Sequence, residues 1–183
     1  GLIDAHVHTY SNGEEGRADY PARATTGYLA LKSFINARKD LRAGFTAVRD
    51  CSSRRYVDVS LKKAIEEDGL EGPRMIISGH GLSMTGGHGD VSGFPNADIK
   101  EDLAVCDSPG GARREARKQI KRGADFIKLH ATGGSFGNGS KPGAQQLTEE
   151  EMRAAVEVAH RAGKKVAAHA MGAEGMEAAV RAG

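Results

Sequence analysis

The feature that most constrains this chain is a punctuation mark that recurs along it: a stretch rich in Ala, Arg and Lys, then Gly, then a short apolar run. It occurs as Leu41-Arg42-Ala43-Gly44 before Phe45-Thr46-Ala47-Val48, as Lys121-Arg122-Gly123 before Ala124-Asp125-Phe126-Ile127, and as Arg161-Ala162-Gly163 before Lys164-Lys165-Val166-Ala167. Gly accepts the left-handed conformation that closes a helix, and cations suit the carbonyl end of the helix dipole, so each mark is a helix stop. Each helix then hands over to a strand. Strands are predicted over 2–8, 45–50, 74–79, 125–130 and 166–170, with amphipathic helices over 26–43, 58–68, 110–122, 148–162 and 173–182. The fourth helix carries a capping-box pattern, Thr148 with Glu151, and Met152, Ala155, Val156 and Ala159 keep helical spacing. Strands alternating with helices imply parallel strands joined by right-handed crossovers, an α/β fold.

The chain closes on Arg181-Ala182-Gly183, the same stop signal that elsewhere precedes a strand, and opens on Gly1 with no initiator Met. Five strand-helix units occupy its 183 residues, whereas a closed eight-unit barrel takes about 250. The expectation is therefore that residues 1–183 form part of a single domain, roughly the first five units of a TIM (β/α)8 barrel truncated at both ends. Such a piece on its own would be a catalytically incomplete fragment or a component of an assembly, and a homo-oligomer is compatible with it. A formal charge of +2 among 27% charged residues leaves no basic excess for a nucleic-acid partner. No apolar run reaches the ~18 residues of a membrane span. Cys51 and Cys106 are too few for a disulfide scaffold, although one bridge stays open. Localisation, cytoplasmic or periplasmic, is left open.

Candidate chemistry lies at the strand ends. In Leu2-Ile3-Asp4-Ala5-His6-Val7-His8 the side chains alternate, so His6 and His8 share a face and either converge on one metal or stand as hydrogen-bonded, solvent-facing histidines. Active sites of parallel barrels lie at the C-terminal ends of the strands, which favours the first alternative. The run Ala124-Asp125-Phe126-Ile127-Lys128-Leu129-His130 holds a Lys among apolar residues. A buried ammonium is costly, so Lys128 is paired with a carboxylate such as Asp125, snorkels to the rim, or is neutral or chemically modified. A neutral amine takes up carbon dioxide as a carbamate. His169 ends another apolar run before Met171-Gly172, where by itself it is either a satisfied core or rim histidine or a ligand.

These residues resemble those of the amidohydrolase superfamily. The similar stretches are Gly-Leu-Ile-Asp-Ala-His-Val-His at the start, Phe-Ile-Lys-Leu-His-Ala-Thr-Gly-Gly over 126–134 and Ala-Ala-His-Ala-Met-Gly over 167–172. The loop Thr85-Gly86-Gly87-His88-Gly89-Asp90 fits the imidazolonepropionase-related branch, which includes Xaa-Pro dipeptidases and carboxypeptidase-like dipeptidases for basic residues. The resemblance implies His6 and His8 on a first metal, carbamylated Lys128 bridging two divalent metals, most simply zinc, and His169 on the second. It also implies hydrolysis of a small peptide or amide substrate by a hydroxide bridging the metals, with Lys128 and His169 in the catalytic set. His88, in a Gly-rich loop, is expected either to hold the carbonyl or carboxylate of the substrate or to be a surface loop histidine, and His130 is expected to join it in substrate binding or to take a supporting role beside the metals. The family also uses a His on strand six, an Asp on strand eight and a flanking β-sandwich, none of which this sequence shows. Lys128 argues against the mononuclear deaminase-like members.

Other signals carry less. Gly134-Ser135-Phe136-Gly137-Asn138-Gly139-Ser140-Lys141 looks superficially like a phosphate loop, but its Ser-Lys order and Pro142 fail the pattern. The basic set Arg113, Arg114, Arg117, Lys118, Lys121 and Arg122 is expected to be a solvated helix face, His160 a surface residue, and His80 either.

Overall fold

The computed structural model describes residues 1–11, 24–90, 103–135 and 140–183. Its elements run β1 (Leu2–Val7), α1 (Thr26–Arg42), β2 (Phe45–Asp50), α2 (Val57–Glu67), β3 (Arg74–Ile77), β4 (Leu82–Ser83), β5 (Ala104–Val105), α3 (Pro109–Lys121), β6 (Ile127–His130), α4 (Glu149–Arg161), β7 (Val166–His169) and α5 (Ala173–Ala182). The expected helices are all present, each bound within one residue of its predicted position. Gly44, Gly123 and Gly163 take φ of +98°, +102° and +69°, the left-handed caps that the repeated stop signal called for.

Helix starts follow from capping chemistry. Thr25 accepts from the amide of Tyr28, Ser108 from that of Gly111 with Pro109 opening the helix, and Thr148 and Glu151 form the complete capping box.

All paired strands are parallel. They form two sheets, β1-β2-β3 and β5-β4-β6-β7. The amides of Asp125 and Phe126 donate to the Ile77 carbonyl at 2.7 and 3.4 Å, which carries the first sheet into the second. The main strands thus lie side by side in chain order, the arrangement of successive barrel units. Two differences from expectation have local causes. The third strand stops at Ile77, not at residue 79, because Gly79 has φ +64°. The strands β4 and β5 were not predicted, since two residues are too short to show an alternating pattern.

Two clusters make the core. One gathers Ala37, Val48, Leu61, Met75 and Ile77 between α1, α2 and the first sheet. The other gathers Leu82, Ala112, Ala116, Ile127, Leu129, Leu147, Met152, Ala155 and Ala159 beneath α3 and α4. Each fully buried Leu, Ile or Met contributes about 1.5–3 kcal/mol. At the start of β1 the expected division into faces fails, because Leu2 and Ile3 are 58% and 72% exposed. Only Val7 of that strand packs on the first cluster. Cys51 and Cys106 are buried free thiols, which settles the question of a bridge against one. Among the described residues no helix is long and apolar enough to cross a membrane.

Candidate active site

Lys128 lies in the middle of β6 and is 2% exposed, so its head does not snorkel to water. It is not paired with Asp125 either. That carboxylate accepts two bonds from Lys62 Nζ, at 2.7 and 2.9 Å, and another from the Ile77 amide. No described carboxylate forms an ion pair with Lys128. Burial holds its pKa below the ordinary lysine value, with the Arg49 charge adding to the effect and nearby Cys51 opposing it.

Imidazoles surround this amine. The rings of His6 and His8 are 5.3 Å apart at the end of β1. Across the site His88 stacks on His169 at 4.3 Å and meets His130 edge-on at 5.1 Å, while His130 and His169 are 6.3 Å apart. The register of β6 with β7 places His130 opposite His169 and Lys128 opposite Ala167. The Lys128 charge bears on all five rings and lowers the pKa of each. Desolvation is the leading cause of a lowered pKa at each. His6 and His88 fall to about 4, and His8, His130 and His169 move in the same direction. At neutral pH these rings are uncharged and each keeps a lone pair.

Several contacts orient the rings. His8 Nδ1 lies 3.2 Å from the Ser52 carbonyl, and since a carbonyl only accepts, Nδ1 carries the proton. His130 Nδ1 likewise reaches the Leu82 carbonyl at 3.1 Å. The amide of His88 donates to Gln146 Oε1 at 2.8 Å. A Cβ on Gly81 or Gly89 would strike the His130 ring, and one on Gly134 would strike His88, so glycine is required for these rings to pack. The end of β1 is held by Thr9, whose amide and hydroxyl donate to buried Asp50 at 3.2 and 2.5 Å, and by Asn36, which donates to the Thr9 carbonyl. Burial, with Asp58 nearby, pushes the Asp50 carboxyl well above the usual carboxylate range.

The donor set suits a divalent cation. Among the described residues His169 Nε2 and His88 Nδ1 are buried without a hydrogen-bond partner, and none of the described carboxylates pairs with the Lys128 amine. Among the described residues no group of three or more His, Cys, Asp or Glu side chains is positioned to hold an ion on its own.

His6, His8, Lys128, His169, His88 and His130 thus share one region. His88 is in that region and not on an open loop. His80 is apart, buried and stacked on Tyr56 at 4.0 Å, and His160 is exposed on α4. The basic helix face is neutralised in places, by Arg113 with Glu157 and Lys118 with Glu115, while Arg122 lies over the Tyr56 ring. Residues 136–139 of the rejected phosphate-loop pattern lie outside the described residues. Sequence reasoning missed Ser52, Asp50 and Gln146. Their contributions are a backbone carbonyl, a buried carboxyl and a loop amide, none of which leaves a spacing signal.

Comparison with known proteins agrees with the geometry. The Amidohydrolase family matches residues 1–183. Ochratoxinase of Aspergillus niger is 31% identical over 204 residues, covering 100% of this chain and 41% of that protein. Its crystal structure superposes with a TM-score of 0.89 at 29% identity, over 100% of this chain and 45% of that one. A Xaa-Pro dipeptidase with bound methionine in its active site gives 0.87 at 34% identity, over 100% and 46%. A prolidase complexed with N-methylphosphonate-L-proline gives 0.85 at 33%, over 100% and 46%. The chain spans less than half the length of these relatives and matches part of their barrels. With strand-end imidazoles around a buried lysine and a family match over its whole length, this chain belongs to the amidohydrolase family.

Proposed function

We propose that the protein carrying this chain is a metal-dependent hydrolase that cleaves a peptide-like amide bond in a small substrate. The observation that carries this is Lys128: an amine 2% exposed, with no carboxylate partner among the described residues, amid five neutral imidazoles. A lone buried amine is unfavourable, but a lowered pKa supplies the free base that attacks carbon dioxide. The new N–C bond gives a carbamate and releases one proton, turning the neutral amine into an anion with two oxygens. His6 and His8 would hold one divalent cation, His169 the second, and carbamylated Lys128 both. Zinc suits this mixture of nitrogen and oxygen donors. Such a pair, when bound, supplies an activated water near neutral pH and a pull on the scissile carbonyl.

The chain's own residues do the rest. His88, neutral and with one ring nitrogen unpaired beside His169, is placed to hold the carbonyl or carboxylate of a substrate. His130, anchored on the Leu82 carbonyl, sets the position of His88 by edge-on packing. A dipeptide with a free carboxylate is the favoured substrate class, in keeping with relatives named as Xaa-Pro dipeptidase and prolidase.

The test combines metal analysis of the full-length protein, carbon NMR after exchange with labelled bicarbonate, and a panel of dipeptides and N-acyl amino acids. Two divalent ions per chain, a carbamate resonance lost in Lys128→Ala, and amide hydrolysis are expected. A metal-free protein with an unmodified Lys128 and no hydrolysis defeats the proposal.

A further inference from the structure

Ser52 is a non-glycine residue with φ +92°, a conformation that L side chains rarely adopt and that neighbouring contacts must impose. Every polar group of Ser52 is engaged. Its amide donates to Ser78 Oγ at 2.7 Å, its own Oγ accepts from the Gly81 amide at 3.1 Å, and its carbonyl faces His8 Nδ1 at 3.2 Å. Ser78, fully buried, passes its hydroxyl proton toward the Asp50 carbonyl at 3.2 Å and the Gly79 carbonyl at 3.3 Å. The next residue, Ser53, donates its amide to the Gly79 carbonyl at 2.7 Å. The turn after β2 is thus stitched to the segment after β3, and the stitched turn aims one carbonyl at the ring of His8, the residue that follows β1.

We propose that Ser52, latched by Ser78, is a positioning residue that fixes the His8 ring with Nδ1 protonated and Nε2 left as the donor toward a cation. This deepens the proposed function and rests on it for the cation, though not for the ring. A histidine that can flip or exchange tautomers offers the wrong nitrogen part of the time. A carbonyl held in a left-handed turn removes that freedom before any ion arrives. The hydrogen bonds of Ser78 go to Ser52, Asp50 and Gly79, so its effect on the site runs through the turn.

The experiment uses full-length protein labelled at histidine nitrogens, with His8 assigned by its loss in His8→Gln. In the metal-free wild type, nitrogen NMR is expected to show His8 as the Nδ1–H tautomer. Ser78→Ala is expected to give a mixture of tautomers and a zinc affinity weaker by about tenfold. Ser78→Thr, which keeps a hydroxyl, is expected to restore both. Should Ser78→Ala not fold by circular dichroism, Ser52→Gly supplies the second variant, since glycine accepts φ +92° while losing the bond to Gly81; partial tautomer mixing is expected. A wild-type His8 with the proton on Nε2, or a folded Ser78→Ala with wild-type tautomer and zinc affinity, overturns the proposal. A wild type that binds no zinc but keeps the Nδ1–H tautomer, scrambled by Ser78→Ala, defeats the metal centre and leaves the latch standing.

Discussion

At the residue scale, Lys128 exchanges stability for chemistry. An amine sealed from water with no carboxylate partner among the described residues weakens the fold until something neutralises it. In metal-free protein kept free of carbon dioxide, Lys128→Met is expected to raise unfolding free energy by on the order of 1 kcal/mol, read from urea titrations, and to abolish divalent-ion uptake. A Lys128→Met protein less stable than wild type under those conditions would show that the amine has a partner. His80 gives a second test. Its ring is 2% exposed and burial lowers its pKa to about 3 from 6.5, so the unfolded chain takes up a proton that the native ring refuses. Stability from this group is complete above pH 6.5 and falls as pH drops below that, until the folded pKa is reached. The loss at pH 5 is about 2 kcal/mol, and chemical denaturation of His80→Gln at pH 7 and pH 5 should show a correspondingly smaller decline.

At the scale of elements, the helices were legible because their ends are written in residue types. Gly44, Gly123 and Gly163 sit at positive φ, and Thr148 with Glu151 closes a capping box. The strand-end histidines and Lys128 were legible for a similar reason, since parity along a strand decides which side chains share a face. The place of His88 was not legible. It depends on a loop whose course is set by the Gln146 acceptor and by the absence of a side chain at Gly134. That Lys128 finds no partner in Asp125 was also beyond reach of the sequence, because this carboxylate, two residues from β6, is claimed by Lys62 from α2. Glycine at the start of α5 offers a test here. A Cβ at Gly172 would overlap the Gly143 carbonyl, a backbone group that cannot swing aside. Gly172→Ala is expected to cost about 1–3 kcal/mol in thermal or urea unfolding and to displace His169, three residues earlier. An unchanged melting temperature would mean that the loop carrying Gly143 yields freely.

At the scale of the whole molecule, the apolar surface is unevenly distributed. Leu2 and Ile3 on β1 and Val180 on α5 are 58%, 72% and 80% exposed, and among the described residues β1 and β7 each pair with one strand only. Exposed edges with apolar side chains invite pairing. Residues 1–183 produced alone are expected to associate at micromolar concentration, with Ile3→Lys reducing the apparent mass in sedimentation. A monodisperse monomer before mutation would mean these edges are inert. The two separate core clusters have a consequence of their own. Each half of the molecule owns one sealed thiol, Cys51 at the end of β2 and Cys106 within the second cluster. Under native conditions the two sulfurs are clocks for separate breathing events. If alkylation reaches them at unequal rates, the halves come apart independently; a common rate marks one cooperative unit.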